Sequence, residues 1–458
     1  MNLAGKKAPS RTLTGAVSGL RDAGHLAAVL VAVLGASPAL VGCGSDGPAK
    51  STGLGGTSVG GAGGGAGGSG FPTGPIDLCD GLVQDLQPHP MTTLAKPAVG
   101  AAVTEPQFGT QIRRITGVAS GSDTPAIVPL YSTVSAWNAD ESRLLLLNIV
   151  ASRHELWDGK SYTFIRSLEE INPPDVEQVF WHTTDPDVFL YVEGKDFIRY
   201  HVTDARKEKV TTFSMCSGGN PTGGDDPMFS AFDSNRFAFH CGGIAFTYDL
   251  SSNSVLGMKT ISEAIQMAPS GTLTYGSVTG TLTDAALNVV RKLDLADPGA
   301  HASMGRWPTG EDTWNGLVYD PGPMGDQAIG SVVVWDMAHF VSKVVVGPDT
   351  GFPYPRDGHV SALAYRQPGW VFLSTYGNTS GAGLLDEENV IADTVSGKVC
   401  RVGRHRSWGK GNTHVGDSYW AEAHTVPSPS GTRAIFGSDW GNGTTIDSYV
   451  VELPSYHR

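Results

Sequence analysis

The feature that most constrains this chain is a repeated grammar of strand and turn. Short runs rich in β-branched and aromatic residues at 144–150, 188–192, 237–239, 273–278, 332–335, 370–376, 434–436 and 449–451 alternate with clusters of Gly, Pro, Asn and Asp. Runs of this length and composition suit strands. No stretch longer than about ten residues carries a 3.6-residue apolar period. The fold is expected to be all-β.

Several of these runs share one local pattern, in which a small or polar segment enters a turn of Asp, Ser, Pro and Gly and leaves it as a strand. It is clearest in AWNADESRLLLL (136–147), WHTTDPDVFLYV (181–192), MFSAFDSNRFAFH (228–240), MAPSGTLTYGSV (267–278) and VPSPSGTRAIFGSDW (426–440), with weaker members at 301–335 and 359–376. From Trp137 to His424 this makes seven units of about 48 residues, near the ~40–50 residues of a four-stranded propeller blade. A β-propeller of seven blades is expected over residues 76–458, with six or eight as neighbouring counts. A parallel β-helix is the rival, but its repeats are shorter and more regular. The turn Ser428, Pro429, Ser430, Gly431 resembles the Ser-Pro-Asp-Gly turn of one class of propellers, departing from it at the third position.

The first 75 residues read differently. Lys6, Lys7, Arg11 and Arg21 precede an uncharged apolar run at 26–34, which is broken by Gly35, Ser37 and Pro38. A membrane span needs roughly 20 apolar residues, so residues 1–42 read as an export signal. Leu40, Val41, Gly42, Cys43 resembles the bacterial lipobox, which implies acylation of Cys43 and a lipid anchor at the cell envelope, on the outer membrane or cell surface; an ordinary signal with an incidental cysteine is the plainer reading. Residues 43–75 are rich in Gly, Ser and Thr and carry almost no large apolar side chain, so a disordered tether is expected. Gly56, Thr57, Ser58, Val59, Gly60 matches a nucleophile-elbow pattern, but low-complexity glycine offers neither the strand nor the helix that an elbow needs.

Beyond Cys43 the cysteines are Cys79, Cys216, Cys241 and Cys400, an even number suited to an exported chain. Cys216 with Cys241 would staple one blade and leave Cys79 with Cys400 to tie the N-terminal segment to the end of the ring. Other pairings and four free thiols also stand. The formal charge of −13 becomes −16 once residues 1–42 and their net +3 are removed, and such a body repels nucleic acid at long range.

In a propeller the residues that open the innermost strands face the channel mouth. Reading back from each turn places there Tyr131 to Thr133, Glu177, Gln178, Asp225, Asp226, Gln266, His301, His359, and Glu422 with His424. His301, His359 and His424 open three successive units. Three imidazoles with Glu422 or Gln266 would suit a divalent metal; histidines that cap or pack against a neighbouring blade are the plainer alternative.

At these residues the chain resembles the oligogalacturonate lyases, seven-bladed secreted or periplasmic propellers that cleave acidic sugars by β-elimination with a histidine-bound divalent metal. The resemblance covers mainly residues 300–440. It implies His359 (in Asp357, Gly358, His359) and His424 (in Glu422, Ala423, His424) as ligands of Mn, Ca or Zn, which the sequence does not distinguish. The chain departs from the family in having Glu422 and a single His424 where the family carries clustered Gln and paired His. The elimination also needs a cation for the substrate carboxylate and a base. Arg404, His405, Arg406, Lys410 and Tyr419, in the basic loop RHRSWGKGNTHVGDSYW (404–420), are the candidates, against the reading of a solvated surface loop. Trp408 and Trp420 would stack on sugar or plug between blades.

With no Cys-x-x-Cys, no phosphate loop and no His-Glu-x-x-His, a monomeric, membrane-anchored propeller that binds an extracellular glycan or protein is the first functional reading. A metal-assisted polysaccharide lyase acting on uronate-containing oligosaccharides is the second.

Overall fold

The computed structural model describes residues 75–224, 227–293, 301–318, 330–355 and 357–457. The export segment, Cys43, the tether through residue 74, Asp225 and Asp226 lie outside the described residues. None of the helices among the described residues is long and apolar enough to cross a membrane.

Seven antiparallel sheets follow one another as the blades of a β-propeller. Blades 1 and 2 begin with inner strands Ile127–Val128 and Val179–Trp181, and blades 4, 5 and 6 with Ile265–Met267, Ser303–Arg306 and Gly358–Ser361. In blade 3 the inner position is held by isolated bridges, Thr222 to His240 and Ser230 to Phe237. Blade 7 closes the ring from both ends of the chain: Val426–Pro427, Arg433–Ser438 and Asp447–Glu452 supply its inside, and Gln111–Arg114 and Ala102–Thr104 its outside. Arg113 pairs with Val450 and Ile112 with Val451 across the joint.

The turn grammar has a structural cause. In blades 1, 3, 4 and 7 one residue donates its N–H to the carbonyl five residues on and accepts from the N–H three residues on: Asn138 with Arg143 and Glu141, Ala231 with Arg236 and Ser234, Ala268 with Leu273 and Gly271, Ser428 with Arg433 and Gly431. The third residue of each loop must take a left-handed conformation, with φ of 57° at Glu141, 54° at Ser234, 73° at Gly271 and 72° at Gly431. Glycine does this without cost, and the loop tolerates the other two at some strain.

Stacking of blades explains the uninterrupted apolar strands. In Arg143–Asn148, Leu145 and Leu147 join blade 2 in one core, while Leu144 and Leu146 join Ile435 and Val450 of blade 7 in another. Both faces of the strand are covered, so no polar alternation survives. Each such leucine contributes about 1.5–3 kcal/mol by burial. Two disulfides, Cys79–Cys400 and Cys216–Cys241, resolve the open pairing.

Candidate metal centre

Three inner strands bring the site together. His301 stands just before the inner strand of blade 5, His359 lies within that of blade 6, and His424 precedes that of blade 7. The rings of His301 and His359 lie 4.4 Å apart and those of His359 and His424 4.3 Å apart, both edge to face. His301 and His424 hold φ of 41° and 42°. Left-handed backbone at a non-glycine residue costs of order 1–3 kcal/mol and collects at functional sites.

Glu422 faces two of the rings. Its Oε2 lies 3.4 Å from Nε2 of His359 and 3.4 Å from Nε2 of His424. Both nitrogens are buried and neither completes a hydrogen bond. Two donors about 2.1 Å from one centre stand roughly 3.4 Å apart at the tetrahedral angle. The three ligand atoms lie within 4.8 Å of one another, so His359, Glu422 and His424 could hold a metal ion. His301 packs on the group without belonging to this ligand set.

The electrostatics favour lone pairs over protons. Burial, aided by His424, His301 and Lys410, pushes His359 well below the ordinary imidazole range. Burial also lowers His424, against the pull of Glu422. For Glu422, burial alone would raise the carboxyl, but His424 and Lys410 outweigh it and hold it ionised. Lys410 reaches in from the loop with Nζ 2.9 Å from Glu422 Oε1 while remaining 65% exposed. Burial would lower its ammonium; Glu422 reverses the sign and keeps it charged.

Tyrosines wall the group. Tyr131 lies 4.9 Å from the His424 ring and its hydroxyl 3.3 Å from His301 Nδ1. Tyr376 Oη accepts the Ala423 N–H at 2.7 Å and stands 3.5 Å from His359 Nδ1. A proton on that Nδ1 is donated toward Tyr376, which leaves the Nε2 lone pair facing inward. Tyr419 packs on His424 at 5.0 Å and donates its hydroxyl to Glu177 at 2.6 Å. Tyr376 escapes the sequence reading because it follows a second strand rather than opening an inner one; its only signal is that the loop after that strand returns to the same face.

The basic loop divides. Lys410 and Tyr419 join the cluster. Arg404 is buried against backbone carbonyls, and His405, although its ring packs 5.5 Å from that of Tyr376, is buried with both nitrogens on backbone, so the expectation that these two act on substrate is corrected. Arg404 is fully buried, and its guanidinium donates to the carbonyls of Asp386 and His89. His405 donates Nε2–H to the Thr375 carbonyl and accepts the Ser407 N–H at Nδ1, which occupies both nitrogens with backbone. Arg401 and Arg406 donate to the carbonyls of Gln87 and Thr92. These guanidinium groups hold an N-terminal strap more than 300 residues away in sequence. Gln266 is buried in the inner strand of blade 4, and Gln178 donates to Thr222. Trp408 donates its backbone N–H to the Asp439 carboxylate, and Trp420 packs partly buried beside Ala126 and Val128.

No family model matches the sequence, and no curated protein matches it. Solved structures do. An oligogalacturonate lyase in complex with manganese superposes with a TM-score of 0.54 at 15% identity, covering 78% of this chain and 97% of its own. An oligogalacturonate lyase from Vibrio parahaemolyticus gives 0.53 at 12% identity, over 78% and 97%. The fold is that of the oligogalacturonate lyase propellers. At such identities the likeness is one of architecture, and the chemistry has to be argued from this chain's own residues.

Proposed function

We propose that this chain is a metal-assisted polysaccharide lyase acting on uronate-containing oligosaccharides, exported and held at the cell surface through an acylated Cys43. The observation that carries the reading is the pair of buried, unpartnered Nε2 atoms of His359 and His424 facing one ionised carboxylate beneath the exposed Lys410. The manganese in the neighbouring lyase structure supports manganese as the ion, and two disulfides support an oxidising compartment.

His359, Glu422 and His424 would hold the ion. When bound, it supplies positive charge to the substrate carboxylate and so acidifies the proton beside it. Lys410, kept protonated by Glu422, pairs with the same carboxylate and orients the sugar. His301 is the general base: one ring nitrogen takes the proton on C5, while Nδ1 faces the Tyr131 hydroxyl. The C–H electron pair becomes the C4=C5 double bond as the C4–O bond to the leaving sugar breaks, the leaving oxygen takes up a proton from water, and His301 later returns its proton to solvent.

The test is metal content of the purified chain together with the ultraviolet absorbance of unsaturated product from oligogalacturonates. One manganese per chain is expected, lost in His359→Ala. His301→Ala should retain the metal and lose about 10²–10⁴ in kcat, and Lys410→Ala should act mainly on KM. Bound metal with no elimination from any uronate glycan would overturn the lyase reading in favour of a glycan-binding platform.

A further inference from the structure

Beside the metal centre lies a cavity of about 590 Å³, in the size range of small-ligand sites. Its wall is formed by Tyr354 and Pro355 from the connection between blades 5 and 6, by Tyr376, Asn378 and Asp386 from the loop between the second and third strands of blade 6, and by Leu86 of the strap. That loop returns to the face on which the inner strands begin, and Tyr376 donates its N–H to the Asp357 carbonyl, two residues before His359. Tyr376 belongs to both places: it lines the cavity and its hydroxyl reaches toward His359. The histidines and the cavity therefore share Tyr376 as a common wall.

The lining has a definite chemistry. Tyr354 is 40% exposed and Leu86 43%, so apolar surface faces solvent on two sides of the cavity. Among the described lining residues the charge is the carboxylate of Asp386, fixed by the N–H groups of Asn378 and Gly383. Aromatic faces and a fixed carboxylate suit the C–H face and hydroxyls of an uncharged sugar, and the described lining residues offer a uronate no cationic side chain. The metal centre with Lys410 has the opposite preference.

We propose that this cavity is a subsite for a neutral sugar next to the uronate, so that the preferred substrate alternates charged and uncharged residues and is not a run of uronates. The inference rests on the lyase reading for the position of the uronate. The cavity supplies a platform in Tyr354 and acceptors for hydroxyl groups in Asp386 and Asn378.

Binding of two probes to the manganese-supplemented chain tests it: trigalacturonate, and a trisaccharide in which one galacturonate is flanked by neutral hexoses. The mixed probe should bind at least tenfold tighter. Tyr354→Ala should erase that advantage by weakening the mixed probe alone, Tyr354→Trp should keep it, and Ser380→Lys, which places a cation in the cavity, should invert it. Lys410→Ala should weaken both probes equally. Equal binding of the two probes by wild type, or equal weakening of both by Tyr354→Ala, would overturn the subsite while leaving the lyase reading intact. No binding of either probe, with Lys410→Ala silent, would overturn both.

Discussion

The two sides of the ring are held together by different chemistry. Between blades 2 and 3 the joint is aromatic: Phe180 meets Phe229 at 3.8 Å, and Phe197 lies edge-on to Phe237 at 4.9 Å and to Phe239 at 5.5 Å. Around blades 6, 7 and 1 buried ion pairs are added to the apolar packing. Arg433 of blade 7 reaches Glu141 of blade 1 at 2.7 Å, Arg406, which follows the last strand of blade 6, pairs with Glu105 at 2.8 Å, and within blade 6 Arg401 pairs with Glu388 at 2.7 Å. Aromatic packing is strong but tolerant of small shifts, whereas a buried bidentate ion pair holds only in one geometry. The histidine cluster stands on the ionic side, where blade positions are specified most narrowly. The arrangement trades stability, since apolar replacements of buried pairs are often neutral or better, for a defined register.

The largest single effect should come from the disulfides, one on each side. In the chain-entropy picture a 15-residue loop is worth about 3 kcal/mol and a 100-residue loop about 4.7. The separations here are 25 for Cys216–Cys241 on the aromatic side and 321 for Cys79–Cys400 on the ionic side. Replacing both cysteines of the long loop by Ser should lower unfolding free energy by roughly 5 kcal/mol, and those of the short loop by roughly 3. Denaturant melts giving equal or reversed losses would break this comparison of the two sides.

Next in size are the interfaces themselves. Glu141→Ala leaves Arg433 buried and uncompensated, and should cost about 3–5 kcal/mol; Glu141→Leu with Arg433→Met should recover most of it. Phe237→Leu, on the aromatic side, should cost under about 1.5 kcal/mol. A double replacement no better than Glu141→Ala would show that the pair itself is required.

The smallest effect is a pH dependence confined to the ionic side. Glu387 is 1% exposed, both its carboxylate oxygens lack a partner, and burial followed by Asp439 raises it to about 8, against the pull of Arg404 and Arg406 and with a further push from Asp386. A carboxyl with a raised folded pKa binds its proton more tightly folded than unfolded. Its stabilisation is complete below about pH 4.5 and is lost as pH rises toward 8. Stability should fall by roughly 1–2 kcal/mol between pH 6 and 8, and Glu387→Gln should flatten the slope. An unchanged slope would place the titration elsewhere.

Much of this was legible in the sequence because it is local. The repeat showed through turn-and-strand patterning, and in four blades the turn has a left-handed third residue, at Glu141, Ser234, Gly271 and Gly431. The three histidines were legible because each stands at or just before the inner strand of its blade. The basic loop misled for the opposite reason. Arg401, Arg404 and Arg406 are matched to carbonyls at 87, 89 and 92, and nothing local distinguishes an arginine that clamps a strap from one that awaits an anion.

By itself, then, the sequence determined the period, the strand composition and the residue types at each channel position, because backbone conformation and burial act within a few neighbouring residues. Only the tertiary structure decided which of those residues meet. It paired Gln111–Arg114 with Asp447–Glu452 to close the ring, drew Lys410 and Tyr376 to the histidines, and turned Arg404 and His405 inward. The reason is physical: a buried charge or carbonyl takes whichever partner the closed fold brings within about 3 Å, whatever its distance along the chain.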